Sequence, residues 1–244
     1  MRRSWTIGKV RGAGRGARPS GRGRMRHAPS SLNRAGAIVS QVIGLFPTPV
    51  VRVERLLSSE LIASITSEIQ NSQKHTNAFS DRLSHTPVTS VDANEIYAQL
   101  GEIVMPSVVQ FGEVLFGETL RWQIKEIWMN VLEPGGRQSI HTHANSFISG
   151  VLYLTQPHPS ANLVFHKSLG GTNFIFSNHH QGARINAYNG SKWMMPEITP
   201  GDLVMFPSYL LHEVPTNQGE QRISIAFNAI PERLDNFGYA IRFA

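Results

Sequence analysis

Two histidines separated by a single residue, soon after a Pro-Gly turn, constrain the fold of this chain more than any other feature. Residues 128–153 read WMNVLEPGGRQSIHTHANSFISGVLY, with the turn at Pro134-Gly135 and the histidines at His141 and His143. Apolar runs flank the pair on both sides, which predicts strands. Because alternate residues of a strand point to one face, the two imidazoles can aim at the same point.

A third histidine, His212, lies far downstream in another strand-like run, LVMFPSYLLHEV. Neutral imidazole suits Fe, Zn, Cu and Ni, and three protein ligands leave positions open for substrate or O2. The alternative is that these histidines are ordinary polar residues on strand faces. Two close ligands and one remote ligand favour an open metal site, built from His141, His143 and His212 on a β-barrel.

An arginine follows the third histidine by ten residues. A short hairpin after His212 would place Arg222 in the apolar strand QRISIAFNAI, where an unpaired guanidinium is costly. It therefore needs an anion, which is either a ligand carboxylate or a protein acid. Ser224 would share its face and could donate a further hydrogen bond. The hydroxyl of Tyr153, in SGVLYL, would need a partner if buried, and the same anion could supply it.

The hydrophobic period changes once along the chain. Residues 59–74 and 92–116 have apolar residues at three- and four-residue spacings, which predicts two helices, the second kinked at Pro106. Residues 41–54 read as a strand broken by prolines, which suits an edge position, and residues 75–90 read as a loop.

From Leu120 onward the period is two. The predicted strands are residues 122–132, 137–142, 147–155, 161–166, 173–177, 191–198, 203–206, 209–214, 221–229 and 237–243. Many short strands between Gly, Pro and Asn signals indicate a mainly β sandwich or barrel, with the helices covering one face of a sheet. The polar segment 166–192 is typical of a lid or binding loop.

The positive net charge of +6 comes from the N-terminal end of the chain. Residues 1–34 hold nine Arg, one Lys and no acid, and the rest has 13 basic and 17 acidic residues. Residues 1–36 are therefore expected to be a disordered extension. It could be an upstream extension before a start at Met25, an RNA-binding arm or an organelle-targeting peptide. The mildly acidic remainder argues against a nucleic-acid-binding fold.

Two absences narrow the function classes. The chain has no cysteine, which excludes disulfides and thiolate ligands. No apolar run approaches the roughly 18 residues that a membrane helix needs. The expected location is cytoplasmic, or an organelle if the extension is a transit peptide.

The motifs, taken in order, resemble the Fe(II)/2-oxoglutarate-dependent oxygenases, especially their prolyl-hydroxylase-like branch. That branch has the pattern P-G-x5-H-x-D, matched here from Pro134 to His143, and then a strand ending in Tyr-Leu, matched by Tyr153-Leu154. Its second histidine is often written H-E-V, as at His212, with a basic residue nine to eleven positions later. The segment is also similar to uncharacterised bacterial and phage oxygenases with an H-x-H-P-x-S-x-x-S-G block. The resemblance covers about residues 120–230.

One position departs from the family's pattern of two histidines and one carboxylate. The carboxylate position here is His143, so the site would be a three-histidine site. Alternatively, His143 is the first histidine and Asn145 stands at the acid position as a neutral ligand. A third alternative has His141 and His212 alone, with water completing the coordination. The Pro-Gly spacing favours His141 as first ligand, then His143, with Asn145 last.

The resemblance implies a single domain over residues 37–244, with a double-stranded β-helix (a jelly-roll, cupin-like core) packed against two N-terminal helices. It implies Fe(II) at the histidines and 2-oxoglutarate as co-substrate, held by Arg222 with Tyr153 and Ser224. The reaction would consume O2 and release succinate and CO2.

The substrate cannot be read from the sequence and could be a small molecule or a protein side chain. Trp128, Asn130 and Asn145 are candidates for the substrate side. Two rival functions stay open: a three-histidine cupin-like dioxygenase that does not use 2-oxoglutarate, and a non-catalytic β-sandwich that binds a metal or a ligand.

Overall fold

Two helices precede most of the strands. The computed structural model describes residues 44–70, 72–78, 80–167, 178 and 180–243, which lie in one compact unit, Gly44–Ala244. Helix α1 spans Ser59–Gln70 and helix α2 spans Glu95–Phe116, after a 3-10 turn at Val91–Ala93.

Local capping explains where the helices begin and end. The side chain of Asn94 accepts a hydrogen bond from the Tyr97 N–H at 2.8 Å, which caps the first turn of α2. Gly117, with φ of 78°, ends the same helix by donating its N–H to the Glu113 carbonyl. The Ser58 hydroxyl accepts from the Leu61 N–H at 3.2 Å and caps α1.

Among the described residues, the larger sheet contains seven strands that pair antiparallel. They are β1 (Val51–Val53), β2 (His75–Thr76), β3 (Leu83–His85), β4 (Trp122–Leu132), β6 (Ile148–Tyr153), β9 (Leu203–Pro207) and β11 (Arg222–Pro231). Their spatial order is β1-β9-β6-β11-β4-β3-β2. The central strand, β11, pairs Ser224 with Tyr153 on one side and Arg222 with Leu132 on the other.

In the described part of the chain the smaller sheet contains four strands, β5 (Gln138–His141), β7 (Val164–His166), β8 (Lys192–Met194) and β10 (His212–Val214). Their spatial order is β5-β10-β7-β8. A separate hairpin pairs β12 (Arg233–Asn236) with β13 (Tyr239–Arg242).

Packing divides the interior into two hydrophobic clusters. The first combines residues of α2, such as Val104 and Phe111, with residues of the larger sheet, such as Ile225 and Phe227 of β11. The second includes Tyr153, Phe165, Phe206 and Val214, contributed by both sheets. The larger sheet thus has helices on one face and the smaller sheet on the other, the double-stranded β-helix that the resemblance implies.

The predicted elements are largely confirmed, with corrections at the ends. Helix α1 stops at Gln70, earlier than the predicted 74, and residues 161–166 begin as a 3-10 turn, Pro159–Ala161. The prediction of a loop over 75–90 was wrong in part, because two short strands, β2 and β3, add to the sheet there. Strand β1 does lie at the sheet edge.

Several predictions fall outside this comparison. The strand at 173–177 and the extension at 1–36 lie outside the described residues, as does much of the segment 166–192. Pro106 lies within α2, and the kink there stays a prediction. No helix in the described part of the chain is long and apolar enough to cross a membrane.

Candidate metal and anion site

The three predicted histidines converge between the two sheets. His141 ends β5 and is paired directly with His212, the first residue of β10. His143 follows β5, and its backbone N–H donates to the Ser208 carbonyl at 3.0 Å. One ring nitrogen of each histidine lies within 4.8 Å of the others. The Nε2 atoms of His143 and His212 are 3.3 Å apart, a separation that two ligands of one ion can adopt.

Backbone carbonyls orient two of the three rings. His141 Nδ1 lies 2.7 Å from the Ser139 carbonyl, and His212 Nδ1 lies 2.8 Å from the Leu210 carbonyl. A carbonyl only accepts, so each Nδ1 carries the proton and donates it. Each Nε2 therefore keeps a lone pair, as metal-binding histidines require, and that of His141 also lies 3.4 Å from the Gln138 amide nitrogen.

The third ring is held by side chains. His143 Nδ1 lies 3.3 Å from the Asn228 amide nitrogen, which also donates to Glu126 Oε2 at 2.9 Å. Ser149 Oγ donates to Asn228 Oδ1 at 2.8 Å. The sequence reasoning did not single out Asn228 or Glu126. Strand alternation was the available signal, since Asn228 lies on the same face of β11 as Ser224 and Glu126 on the same face of β4 as Trp128.

Burial keeps the histidines neutral. Desolvation, followed by the charge of His141, lowers the pKa of His143 from 6.5 to about 4. The same two causes, in the same order, lower the pKa of His212 to about 3. Desolvation also lowers the pKa of His141. At neutral pH the cluster therefore offers neutral imidazoles, the form that binds a metal.

These shifts predict an acid dependence of stability for the metal-free protein. Between pH 6.5 and the lowered pKa values of His143 and His212, the unfolded chain binds more protons than the folded one. The free energy of unfolding should therefore be greatest above pH 6.5 and fall as the pH drops, by roughly 2 kcal/mol per histidine at pH 5. Urea titrations in the presence of a chelator at pH 7.5, 6 and 5 would measure it. A double variant, His143→Gln with His212→Gln, should flatten the profile, and a flat profile in the unchanged protein would contradict it.

The predicted anion-binding group lies on the neighbouring strands. Arg222 is 3% exposed, and its guanidinium carbon lies 4.9 Å from the centre of the Tyr153 ring. Arg222 Nη1 donates to Ser224 Oγ at 3.2 Å. Among the described residues it forms no salt bridge. The alternative of a structural ion pair to a protein acid is therefore not seen in the described part of the chain.

Two buried polar atoms in this pair of residues, Arg222 Nε and the Tyr153 hydroxyl oxygen, have no hydrogen-bond partner among the described residues. Burial raises the pKa of Tyr153, and the charge and the nearby side chain of Arg222 oppose that rise without cancelling it. Buried polar atoms are rarely left unpaired, because each loses its hydrogen bonds to water. The two residues are therefore a candidate place for an anion to bind.

One cavity joins the histidines to the arginine. Trp128 and Asn130, predicted for the substrate side, both line it, while Asn145 does not. Asn145 is exposed at φ of 54°, and its carbonyl accepts from Lys125 Nζ at 3.2 Å. The remaining lining residues are Gln138, His141, His143, Val151, Leu163, His212, Val214, Arg222, Ser224 and Ala226.

A row of aromatic side chains extends from the histidines across the smaller sheet. His141 pairs with His212, His212 with Phe165, and Phe165 with Trp193. Directly opposite residues of antiparallel strands share a face. Trp193, whose residue surface is 54% exposed, thus extends the face that carries the two histidines. The sequence alone does not place Trp193 near the histidines, because the row forms only when β5, β10, β7 and β8 lie side by side in that order.

A comparison with known protein families matches the central part of the chain. Residues 126–228 match the family model described as "Putative 2OG-Fe(II) oxygenase". No curated protein matches the chain.

Solved structures share the fold at low sequence identity. One is an oxidoreductase of the 2OG-Fe(II) oxygenase family from Burkholderia pseudomallei, 14% identical, with a TM-score of 0.53 over 74% of this chain and 83% of that one. HygX from Streptomyces hygroscopicus, with nickel and 2-oxoglutarate bound, is 12% identical, with a TM-score of 0.57 over 75% and 83%. A Pseudomonas putida prolyl-4-hydroxylase is 17% identical, with a TM-score of 0.53 over 75% and 92%.

The matched segment holds the whole candidate site. It begins at Glu126, ends at Asn228, and includes the three histidines, Tyr153 and Arg222. Residues 126–228 of this chain therefore match the 2OG-Fe(II) oxygenase family, and the fold is one that solved structures of such oxygenases share.

Proposed function

We propose that this chain is a non-haem Fe(II)- and 2-oxoglutarate-dependent dioxygenase that hydroxylates a small molecule or a protein side chain. The observation that carries the proposal is a buried guanidinium that has no acidic partner among the described residues and lines one cavity with three converging imidazoles. A metal site alone would explain the histidines but not Arg222, and a structural arginine would be paired.

The residues present fit an iron ion. His141 and His212 direct the lone pair of Nε2 into the cluster, and His143 Nε2 is the third nitrogen. Three neutral nitrogen ligands leave coordination positions for a bidentate co-substrate and for O2. Asn145, the alternative third ligand, is exposed and stays the least favoured choice.

The residues also fit the distal carboxylate of 2-oxoglutarate. A carboxylate could accept hydrogen bonds from Arg222 Nε and from the Tyr153 hydroxyl, which have no partner among the described residues. The Ser224 hydroxyl already accepts a hydrogen bond from the guanidinium. A fixed, buried guanidinium pairs with a carboxylate through strong, charge-assisted hydrogen bonds.

The bound iron would supply the activation of O2, with 2-oxoglutarate converted to succinate and CO2. The chain's own residues orient the co-substrate and the substrate, and they exclude water. Val151, Leu163, Val214 and Ala226 give the cavity apolar walls. These walls keep bulk water from the anion, which strengthens its attraction to Arg222. Trp128 and Asn130 line the same cavity, and we assign them to the substrate side.

Anaerobic titration tests the proposal. Fe(II) and 2-oxoglutarate added together should produce the weak visible charge-transfer band of their complex at the iron, and O2 should then release succinate. Iron binding without the band, with no succinate, would favour instead a three-histidine dioxygenase that does not use 2-oxoglutarate. Failure to bind iron would leave a non-catalytic β-sandwich.

A further inference from the structure

The three histidines differ in the group that contacts their Nδ1 atom, and at His143 that group is the side chain of Asn228. His141 and His212 each donate Nδ1–H to a backbone carbonyl, whereas His143 Nδ1 faces an amide NH2 group. An NH2 group only donates, so His143 Nδ1 must accept and the ring proton must lie on Nε2. That assignment agrees with the 3.3 Å contact, in which His143 Nε2–H donates to the free Nε2 of His212.

The orientation of the Asn228 amide follows from its neighbours. Its nitrogen lies 2.9 Å from Glu126 Oε2, and its oxygen accepts from Ser149. Turning the amide over would place Asn228 Oδ1 against the carboxylate of Glu126. Partial burial favours the neutral acid, but hydrogen bonds from Asn228 and Lys125 outweigh it and hold the pKa of Glu126 below its usual value. The ionised carboxylate therefore holds the amide in place.

We propose that Glu126 and Asn228 are positioning residues that hold His143 as its Nε2–H tautomer and so make it the weakest of the three metal ligands. This inference rests on the proposed metal site. Before Nε2 can ligate, its proton must leave, and the ring can keep a proton only on Nδ1. A proton on Nδ1 needs an acceptor, which Asn228 offers only after its amide turns over.

The proposal predicts an unusual direction for one substitution. A carboxylate at position 126 can only accept, whereas in Glu126→Gln the introduced NH2 group can also donate to Asn228 Oδ1, which allows the Asn228 amide to turn over. Its NH2 group then donates to Ser149 Oγ, whose own proton can go to Ser208 Oγ, 2.9 Å away. Asn228 Oδ1 can then accept from His143 Nδ1–H, and Nε2 is free to ligate.

Metal affinity should therefore rise in Glu126→Gln. Titration calorimetry with Ni(II) should show binding tighter by about tenfold, the lower end of the effects of groups that support a ligating histidine. Simple electrostatics predicts the opposite, because the substitution removes a negative charge near a cation. In a His143→Ala background, Glu126→Gln should lose its tightening effect.

A charge-matched control is available on the smaller sheet. Glu213 is next to His212 in sequence and bonds to His166 and Lys192. Glu213→Gln removes the same charge, and it should not tighten Ni(II) binding. Weaker or unchanged binding in Glu126→Gln, or equal tightening in both variants, would overturn the proposal.

The tautomer itself can be read without any metal. Long-range nitrogen–proton NMR spectra of the metal-free protein, labelled at histidine, should show Nε2–H for His143 and Nδ1–H for His141 and His212. Single His→Gln variants assign the signals. Glu126→Gln should move His143 to Nδ1–H. A native His143 that already carries Nδ1–H would overturn the inference, whereas a native protein that binds no Ni(II) would instead refute the metal site.

Discussion

Replacing Arg222 with methionine should weaken 2-oxoglutarate binding by at least about 100-fold, because hydrogen bonds to a charged group contribute roughly 1.5–3 kcal/mol each and at least two would be lost. Arg222 is 3% exposed, its Nε is unpaired, and methionine retains much of its apolar length. Calorimetric titration of the anaerobic Fe(II) protein with 2-oxoglutarate would measure the change.

The same variant separates a binding arginine from a structural one. Breaking a buried ion pair by removing one partner typically costs about 3–5 kcal/mol. Arg222 forms no such pair with the described residues, so Arg222→Met should leave the melting temperature of the ligand-free protein unchanged or higher. A matched control is Arg137→Met, since Arg137 is an exposed arginine that pairs with Asp81 at 2.7 Å. Normal 2-oxoglutarate affinity in Arg222→Met, with a lowered melting temperature, would show that Arg222 is structural.

Replacing His141 or His212 with alanine should abolish measurable metal binding at micromolar protein, a loss larger than the about 10–100-fold that follows removal of a supporting partner. Both rings are already oriented by a backbone carbonyl, so each contributes an Nε2 lone pair with little rearrangement. Metal analysis after anaerobic loading and desalting would measure the content of each variant.

His143→Ala should retain more metal than either of those variants, and His158→Ala should retain all of it. His158 bonds to Ser160 Oγ at 2.9 Å and does not line the cavity, which makes it a suitable histidine control. Asn145→Ala should also keep its metal. If Asn145→Ala and His212→Ala alone lost iron, the ligand assignment would be wrong.

The strand pattern, and the positions on it of the residues proposed for the site, could be predicted because both depend on local spacing. Alternation along β11 placed Arg222 and Ser224 on one face, and the Pro-Gly turn placed His141. Strands β2 and β3 escaped prediction because they have two and three residues, too few for a period to show. Their existence depends on pairing with β4, a long-range contact.

The hydrogen bonds that hold His143 could not be predicted for a related reason. Asn228 and Glu126 are 102 residues apart, and they meet only because β11 and β4 pair in one register. Asn145 shows where local spacing stops being informative. It lies beyond the end of β5 at His141, in a left-handed backbone at φ of 54°, so strand alternation does not fix where its side chain points.

Successive residues of strand β11 face two different parts of the interior of the domain. Ile223, Ile225 and Phe227 belong to the cluster against the helices, while Ser224 and Ala226 line the cavity. Mutations at even-numbered positions can therefore reshape the pocket without disturbing the packing that keeps the domain folded. A single-residue insertion would exchange the two sets and destroy both. Evolution can thus explore new substrates on this strand by substitution but not by changing its length.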